Sequence, residues 1–307
     1  MARTGTGSGG SAARRVALAT DGFGREHDAE LPLLVAALRE RGIDAEAVGW
    51  DDAGYDWAAQ DAVVIRSTWE YTHRLPDFLR WADRVAAVTA LHSPARVVRW
   101  NSDKTYLAEL TARGVATVPT RFIAPGEDAR LPEHGEIVVK PSVSAGARNS
   151  ARYTEDQRDA AEAHVRLLHG GGETVMVQPY MERIVEGERA LVFLGGEFSH
   201  AMRKGPVLTD TGRVDNERVP HPDLITHVPD AAERAVAAAA LAVVETPAGD
   251  PLLYARVDLA LAGDGSPVVM ELELIEPHLF LTTAEGAVER FVEAVAGLSR
   301  SPTAAAQ

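Results

Sequence analysis

Charged side chains interrupt two apolar runs in the segment YARVDLALAGDGSPVVMELELIE near the end of the chain. The dipeptide Asp264-Gly265 between these runs predicts a β-hairpin with a two-residue loop. With that loop, Asp258 lies opposite Glu271. Arg256 then lies opposite Glu273. Because side chains alternate along a strand, all four share one face of the hairpin, which therefore carries three carboxylates and a guanidinium.

The opposite face of this hairpin is predicted to be apolar, with Val257, Leu259, Val268 and Leu272 on or near it. Like charges directly across a strand pair are destabilising, so the acidic face needs a counter-charge. A divalent cation is the simplest candidate, and Mg²⁺ usually binds one or two protein carboxylates together with substrate phosphates. The alternative is a solvated face whose acids lean into water. The hairpin alone leaves both interpretations open.

Two lysines stand where a phosphate could bind. Lys104 is predicted one turn into a helix capped by the segment 101–103, and Lys140 ends the apolar strand IVVKP. Lysine is rarely buried without a partner, so an ammonium at the end of a core strand indicates an anion. The loop after Lys140 has small residues whose backbone N–H groups can approach a phosphate, namely Ser142, Ser144, Ala145 and Gly146. For either lysine alone, snorkelling to the surface is the alternative.

The tetrapeptide Gln178-Pro179-Tyr180-Met181 follows an apolar strand. A polar side chain beside an aromatic ring and a methionine can line a slot for a flat heterocycle. Core packing is the alternative. Glu188 stands near the start of the next strand, in the segment GERALVFLGGEF.

Composition limits the classes of function. The 307 residues are 46% apolar and 25% charged, as is ordinary for a globular protein, and the net charge of −14 argues against a nucleic-acid or anionic-membrane surface. With no cysteine, the chain has neither a thiolate metal site nor a cysteine nucleophile, which fits a cytoplasmic protein. No apolar run reaches the ~18 residues of a membrane span, and residues 1–14 are predicted to be a disordered tail. Whether the chain forms a homo-oligomer stays open.

Strands alternate with helices in the first third of the chain, which predicts a parallel α/β domain at residues 15–100. Its strands are predicted at Arg15–Thr20, Ala45–Val48, Asp61–Arg66 and Val97–Trp100, and its helices at Ala29–Arg41 and Leu75–Ala90. The rest of the chain is typical of antiparallel strands combined with helices, with a long irregular loop at Gly205–Asp230.

The order of these motifs from Lys104 to Glu273 resembles the ATP-grasp superfamily of carboxylate–amine ligases, which includes glutathione synthetase and D-alanine–D-alanine ligase. The resemblance implies an α/β (α+β) fold in which an N-terminal parallel α/β domain precedes two α+β subdomains that enclose ATP. These are expected at residues 101–182, as a lid, and at residues 183–300, with the metal site.

The resemblance also implies roles for the nucleotide-binding side chains. Lys104 and Lys140 grip the ATP phosphates, and the loop 142–148 closes over them. The adenine is recognised by Gln178 and by the backbone at Tyr180 and Met181, and the ribose hydroxyls by Glu188.

The hairpin supplies the catalytic and metal-binding groups implied by the same resemblance. Lys204 reaches the γ-phosphate, and Arg256 stabilises the phosphoryl group in transfer. Asp258 and Glu271 hold one or two Mg²⁺ ions. Glu273 is the third expected metal ligand, and it stands where many members have asparagine, which leaves the number of ions open.

The loop RSTWEYTHR follows a strand of the N-terminal domain, at the edge where ligands bind in open α/β sheets. Arg66 is a candidate clamp for a substrate carboxylate, walled by Trp69 and Tyr71; a helix-entry loop with packed aromatics is the alternative. This loop and the segment ELELIEPHLFL resemble the branch containing the cyclo-ligase of D-cycloserine biosynthesis, which closes O-ureidoserine to a ring. In that case Glu276 and His278 lie near the substrate.

The implied reaction uses ATP to convert the carboxylate of a small amino acid derivative into an acylphosphate, which a nucleophile of the same molecule then attacks. Three alternatives remain at this point. They are ligation of two separate amino acids, phosphorylation of a small alcohol, and nucleotide binding without catalysis.

Overall fold

The computed structural model describes residues 13–216 and 223–298 and contains three β-sheets within them. Each predicted segment, 15–100, 101–182 and 183–300, holds the strands of one sheet. The boundaries between these segments stay a prediction.

The first sheet is parallel throughout and has the order β2-β1-β3-β4. Its strands are β1 (Arg15–Thr20), β2 (Asp44–Gly49), β3 (Ala62–Ile65) and β4 (Ala90–His92), and its helices are α1 (Gly22–His27), α2 (Glu30–Glu40) and α3 (Leu75–Ala86). This arrangement confirms the predicted parallel α/β layout and places the carboxyl ends of β1 and β3 next to each other, where residues 20–21 and 66–68 begin their loops.

The predicted strand Val97–Trp100 is wrong, because these residues belong to the helix α4 (Ala95–Asn101). Val97 and Val98 are buried, while the guanidinium of Arg99 points outward to Asp83. A short apolar pair resembles a strand in sequence, but the following helix α5 (Tyr106–Ala112) shows that the chain has already left the sheet. The fourth strand is instead β4, which precedes α4.

The second sheet is antiparallel, with the order β5-β8-β6-β7. It consists of β5 (Arg121–Ile123), β6 (Ile137–Pro141), β7 (Ala151–Tyr153) and β8 (Val175–Pro179), and it is covered on one face by α6 (Arg158–Gly170). Val139 and Val177 point into that helix-covered core. Because side chains alternate, Lys140 and Gln178 lie on the other, open face.

The third sheet has the order β11-β10-β9-β12-β13. Its members are β9 (Glu188–Leu194), β10 (Glu197–Lys204), β11 (Ile225–His227), β12 (Tyr254–Leu261) and β13 (Pro267–Glu273), and it is flanked by α7 (Ala231–Ala242) and α8 (Ala287–Ala296). One face packs with α5 and α7, and the other shares a core with α2, α8 and the first sheet. The first and third sheets are therefore joined by a continuous apolar core.

The β12–β13 hairpin has the predicted pairing at its charged end but a different loop. Asp258 lies opposite Glu271, and Arg256 lies opposite Glu273. The loop has three residues, closed by a hydrogen bond from the Ala262 N–H to the Ser266 carbonyl (2.8 Å). A β-bulge after Asp258 restores the register, because Leu259 already pairs with Val269.

The buried histidine His92 makes stability sensitive to acid. Burial lowers the pKa of His92 to about 4, with a smaller effect from Arg14. The charged form is therefore favoured in the unfolded chain, whose histidine has a pKa near ~6.5. We expect the stabilisation due to the neutral ring to be complete above pH ~6.5 and to be lost as the pH falls towards ~4, about 3 kcal/mol in all.

The measurement is urea unfolding of the wild type and of His92→Phe at pH 7 and pH 4.5. The difference between the two proteins isolates His92 from the other histidines. A wild type that loses no more stability on acidification than the variant does would contradict this expectation.

Candidate active site

A continuous chain of ion pairs crosses β9, β10, β12 and β13 at the charged end of the hairpin. Arg256 binds Asp258 through both its Nε and Nη2 atoms, each at 2.9 Å, and its Nη2 also pairs with Glu273. The Lys204 ammonium lies 2.6 Å from Asp258 Oδ2, the oxygen that also accepts from Arg256 Nη2, and it pairs with Glu188 as well. The predicted acidic face thus exists, and it is interleaved with cations.

This chain of charges is buried, which explains its pKa shifts. Burial opposes the ionisation of Asp258, yet Arg256 and Lys204 hold its pKa well below the usual range. Burial also works against the charge of Lys204, but Asp258 and Glu188 outweigh it and raise the pKa of the ammonium. Burial dominates for Glu188 and Glu273 and raises the pKa of each to about 7.

The two predicted phosphate-binding lysines lie beside this chain. Lys104 is 7% exposed, its ammonium is 3.1 Å from Glu271, and it also donates to the Ser144 carbonyl. It precedes α5 rather than lying inside a helix. Lys140 has no hydrogen bond or ion pair to a residue of the described ranges, and burial, reinforced by the charge of Lys104, lowers its pKa. An anion between these lysines would relieve that cost.

The small-residue loop after β6 reaches across to the N-terminal domain. Ser142 is buried, and its backbone carbonyl accepts a hydrogen bond from the Lys104 backbone N–H at 2.9 Å. The Ala145 carbonyl accepts from the Arg148 backbone N–H at 3.2 Å. Gly146 has a φ of +61°, in the left-handed region that glycine adopts without strain. The Arg148 guanidinium contacts His73 and lies 3.4 Å from the Thr72 hydroxyl. The loop therefore spans the opening between the lid and the N-terminal sheet.

The predicted metal acids differ in how much of their coordinating capacity is free. In residues 13–216 and 223–298, no group of three or more acidic or histidine side chains converges as a metal site. Asp258 is 1% exposed and has both oxygens bound to cations. Glu271 and Glu273 have side chains 27% and 28% exposed, each with one oxygen in an ion pair. Carboxylate chemistry fits Mg²⁺ at the latter two, while Asp258 would first have to release a cation.

The segment after β8 presents a donor and an acceptor side by side. The Tyr180 N–H donates to the Glu136 carbonyl, and the Met181 carbonyl accepts from Ile184, each at 2.8 Å. The Tyr180 carbonyl and the Met181 N–H have no hydrogen-bond partner within the described ranges. Beside them lies an apolar patch formed by Val118, Met181, Ile184, Ala260, Val268 and Met270. Val268 thus faces this patch, away from the α7 side where Val257, Leu259 and Leu272 lie.

The Gln178 side chain is 4% exposed and donates to the Thr120 hydroxyl at 2.8 Å, which fixes it on the open face of the lid sheet. The Tyr180 ring lies under the Arg152 guanidinium at 3.5 Å. Glu188 starts β9 and pairs with Lys204 on the phosphate side of the site, so a contact with ribose stays a prediction.

Two side chains that the sequence analysis did not assign to the site hold the outer edge of β13. The Asn101 amide donates to the Leu272 carbonyl (2.7 Å) and accepts the Leu274 N–H (2.9 Å). The Tyr106 hydroxyl donates to the same Leu272 carbonyl and accepts the Leu272 N–H. Asn101 was predicted as a helix cap, but its amide instead makes the hydrogen bonds to the edge of β13 that a neighbouring strand would make. These bonds fix the backbone on which Glu271 and Glu273 are carried.

The segment Glu276–Leu281 follows β13 and is held by side chains from five separate positions. The donors are Trp69 to the Glu276 carbonyl (3.0 Å), Arg66 to Pro277 (3.4 Å), Arg256 to His278 (2.8 Å) and His200 to Leu279 (2.8 Å), and the Glu30 carboxylate accepts the Leu281 N–H. His200 was not predicted, because a histidine in a strand carries no sequence signal for a partner 79 positions away. The segment is therefore a fixed wall of the site.

The position of Arg66 does not support the predicted clamp on a substrate carboxylate. Arg66 is 1% exposed, pairs with Glu30 at 3.4 Å, and lies over the rings of Tyr254 and Phe291. Its surroundings are all protein, so its guanidinium stabilises the segment Glu276–Leu281. An arginine at the end of a strand gave no indication of that internal carboxylate.

Three of the other predicted substrate residues line the same wall. Tyr71 stacks on Phe78 with ring centroids 4.7 Å apart and is 4% exposed. Glu276 is partly buried, and burial together with Glu273 raises its pKa to about 8. His278 stacks at a tilt on Phe280, and burial lowers the pKa of its ring.

Two segments of the chain match known families. Residues 16–93 match the N-terminal domain of D-cycloserine synthetase DcsG, and residues 120–214 match the ATP-grasp domain of prokaryotic glutathione synthetase. The cycloserine biosynthesis protein DcsG of Streptomyces lavendulae is 41% identical over 294 residues, which cover 92% of this chain and 97% of that protein.

The fold of the chain also matches solved structures. The crystal structure of D-cycloserine synthetase DcsG matches with a TM-score of 0.83 at 39% identity, covering 92% of this chain and 98% of that chain. D-alanine–D-alanine ligase from Bacillus anthracis matches with a TM-score of 0.68 at 14% identity, covering 92% and 96%, which indicates a common fold. Within the described ranges, no helix has the length and apolar character needed to cross a membrane.

Proposed function

The chain belongs to the D-cycloserine synthetase family of ATP-grasp ligases, and we propose that it closes a small amino acid derivative to a ring at the expense of ATP. The ATP-grasp fold predicted from the sequence is confirmed by this membership. The first substrate to test is O-ureidoserine, which the resemblance to the cyclo-ligase branch implies.

The observation that carries the proposal is the arrangement of cations around Arg256. Arg256, Lys204, Lys104 and Lys140 converge on one cleft, where Lys140 has no anionic partner in the described ranges. A protein catalyses phosphoryl transfer chiefly by positioning the reacting groups and by neutralising the charge on the phosphates. Four cations held on three strands and at the start of a helix can do both.

The nucleotide is placed by the lid. The Met181 N–H donates to a ring nitrogen of adenine, and the adjacent Tyr180 carbonyl accepts from its amino group, since neither group is used within the described ranges. The apolar patch around Met181 covers one face of the ring. The phosphates then extend to Lys140 and Lys104, with the loop 142–148 above them.

Mg²⁺ would be held by Glu271 and Glu273, together with phosphate oxygens, because these acids keep an oxygen outside their ion pairs. When bound, the ion neutralises charge on the phosphates. Asp258 keeps Arg256 and Lys204 in place.

The reaction has two steps. An oxygen of the substrate carboxylate attacks the γ-phosphorus, the bond from phosphorus to the bridging oxygen breaks, and ADP leaves with that electron pair. A nitrogen of the same molecule then attacks the acylphosphate carbon and loses its proton, the bond from that carbon to the phosphate oxygen breaks, and inorganic phosphate departs. Asp258 occupies the fork of Arg256, so Arg256 stabilises the phosphoryl group through its charge and its remaining Nη1 donor. The wall Glu276–Leu281 excludes water from the acylphosphate.

We expect the wild type to release phosphate from MgATP in the presence of O-ureidoserine and to form a hydroxamate when hydroxylamine is added. An acylphosphate gives this product, whereas a phosphorylated alcohol does not. Mass spectrometry should show a product lighter than the substrate by water, as ring closure requires, or by water and a small fragment where hydrolysis then removes a substituent from the ring. MgATP alone should raise the melting temperature, because it binds the folded state.

Each alternative has its own signature in the same assay. Two joined substrates in the mass spectrum would replace ring closure by intermolecular ligation. A melting shift with MgATP but no phosphate release with any amino acid derivative would indicate nucleotide binding without catalysis. The absence of a melting shift at millimolar MgATP would overturn the nucleotide site itself.

A further inference from the structure

The charges of the cleft are paired with a single anionic exception. Arg256 and Lys204 form ion pairs with Asp258, Glu273 and Glu188, and Lys104 forms one with Glu271. Glu276 makes no ion pair, and its carboxylate makes no hydrogen bond to another residue of the described ranges. Within the described ranges, the Glu276 carboxylate is therefore the acid of this site without an ion-pair partner, and it lies on the segment Glu276–Leu281.

The backbone that carries this carboxylate is held by two side chains. The Trp69 indole N–H holds the Glu276 carbonyl at 3.0 Å, and Arg66 holds the next carbonyl along, that of Pro277. The side chain is partly buried, so it cannot swing freely into solvent. Burial and the charge of Glu273 raise its pKa to about 8, a shift that a bound cation would reverse.

A second group points to the same place. Tyr71 is 4% exposed and packed in the core of the N-terminal domain. Its hydroxyl makes no hydrogen bond to any residue of the described ranges. Burial raises the pKa of this hydroxyl well above its usual value, and among the neighbouring acids Glu276 has the largest effect in the same direction. Tyr71 follows Trp69, whose indole N–H binds the Glu276 carbonyl, by two residues, and it shares an apolar cluster with Ile275. A phenol without a partner therefore lies near a carboxylate without an ion pair, which indicates a ligand that donates hydrogen bonds.

We propose that Glu276 and the Tyr71 hydroxyl form the subsite for the α-ammonium group of the amino acid substrate. The proposal rests on the function proposed above and deepens it by assigning the group that distinguishes an amino acid from a simple carboxylic acid. An ammonium has three donors, of which two are satisfied by these oxygens. The α-carboxylate of the same molecule then lies towards Arg256 and the γ-phosphate.

Other occupants fit this place less well. A phosphate oxygen would be repelled by the carboxylate, and the described residues form no group of three ligands for a metal ion. Proton removal from the attacking nitrogen is a separate role for Glu276. It predicts a slower chemical step but no selectivity for the ammonium group in binding.

The test measures binding without turnover. Isothermal titration of the MgADP complex with O-ureidoserine, and with its analogue bearing hydrogen in place of the α-ammonium, gives a ratio of dissociation constants. We expect the wild type to prefer the ammonium form by about 10- to 100-fold, because hydrogen bonds to charged groups are worth that much. In Glu276→Gln this ratio should fall to a few-fold, with MgADP affinity unchanged. In Tyr71→Phe it should fall less.

The matched control is Glu285→Gln, which removes one exposed acid shortly beyond the same wall and should keep the wild-type ratio. Melting temperatures verify that each variant is folded. A wild type that binds both compounds equally, or neither, overturns the subsite. So does a Glu276→Gln protein that retains the wild-type ratio, even if its turnover falls. Hydroxamate formation by the wild type is scored separately, so a failure of the proposed reaction is distinguishable from a failure of the subsite.

Discussion

Arg256→Lys should lower ATP-dependent phosphate release by about 1,000-fold or more, the range found when a phosphoryl-clamping arginine is lost. The guanidinium binds both oxygens of Asp258, pairs with Glu273 and donates to the His278 carbonyl. An ammonium is a point charge and cannot hold these three partners and a phosphoryl group in one plane. The measurement is steady-state phosphate release with saturating MgATP and O-ureidoserine.

The control is Arg84→Lys, which makes the same exchange at an exposed position of α3 and should keep wild-type activity. The melting shift with MgATP should largely survive in Arg256→Lys, because the lid residues that place the adenine are untouched. Activity within tenfold of the wild type would show that the planar fork is not required and would remove Arg256 from phosphoryl transfer.

The charged face of the hairpin could be predicted because two departures from the predicted geometry cancel before the strands reach it. The loop has three residues instead of two, which alone would have shifted Asp258 away from Glu271. The bulge after Asp258 cancels the shift. Alternation and pairing are local rules, so they identified Arg256 and Glu273 as partners without knowledge of the rest of the fold.

The counter-charges could not be predicted in the same way. Three acids on one face of the hairpin predicted a metal as their counter-charge, whereas in the structure Lys204, Lys104 and Arg256 form ion pairs with them. Lys204 is 54 positions from Asp258 along the chain, and that contact depends on β9 lying between β10 and β12. Sheet order is a long-range property that motif spacing does not encode.

The same limit explains Asn101 and Arg66. The residues next to Asn101 in sequence predict a helix cap, yet its amide donates to the Leu272 carbonyl on the edge of β13, 171 positions away. Arg66 ends a strand where ligands often bind, but Glu30 on α2 meets its guanidinium first. Residue type and local pattern gave the position of each group, and only the packing of α2 and β13 decided which partner it has.

Glu271→Gln should lower phosphate release by about 100- to 1,000-fold and should raise the Mg²⁺ concentration needed for half-maximal rate, since metal-ion charge stabilisation is worth several kcal/mol. The amide keeps the shape of the side chain and removes one negative charge. Folding should survive, because Asn101 and Tyr106 still hold β13 and the repulsion between Glu271 and the buried acids Glu273 and Glu276 is relieved. Lys104 keeps its bond to the Ser144 carbonyl.

The measurement is phosphate release over a Mg²⁺ titration at fixed ATP, with the exposed Glu289→Gln as the charge-matched control. A rate within tenfold of the wild type, at an unchanged Mg²⁺ requirement, would mean that Glu271 serves only as the partner of Lys104.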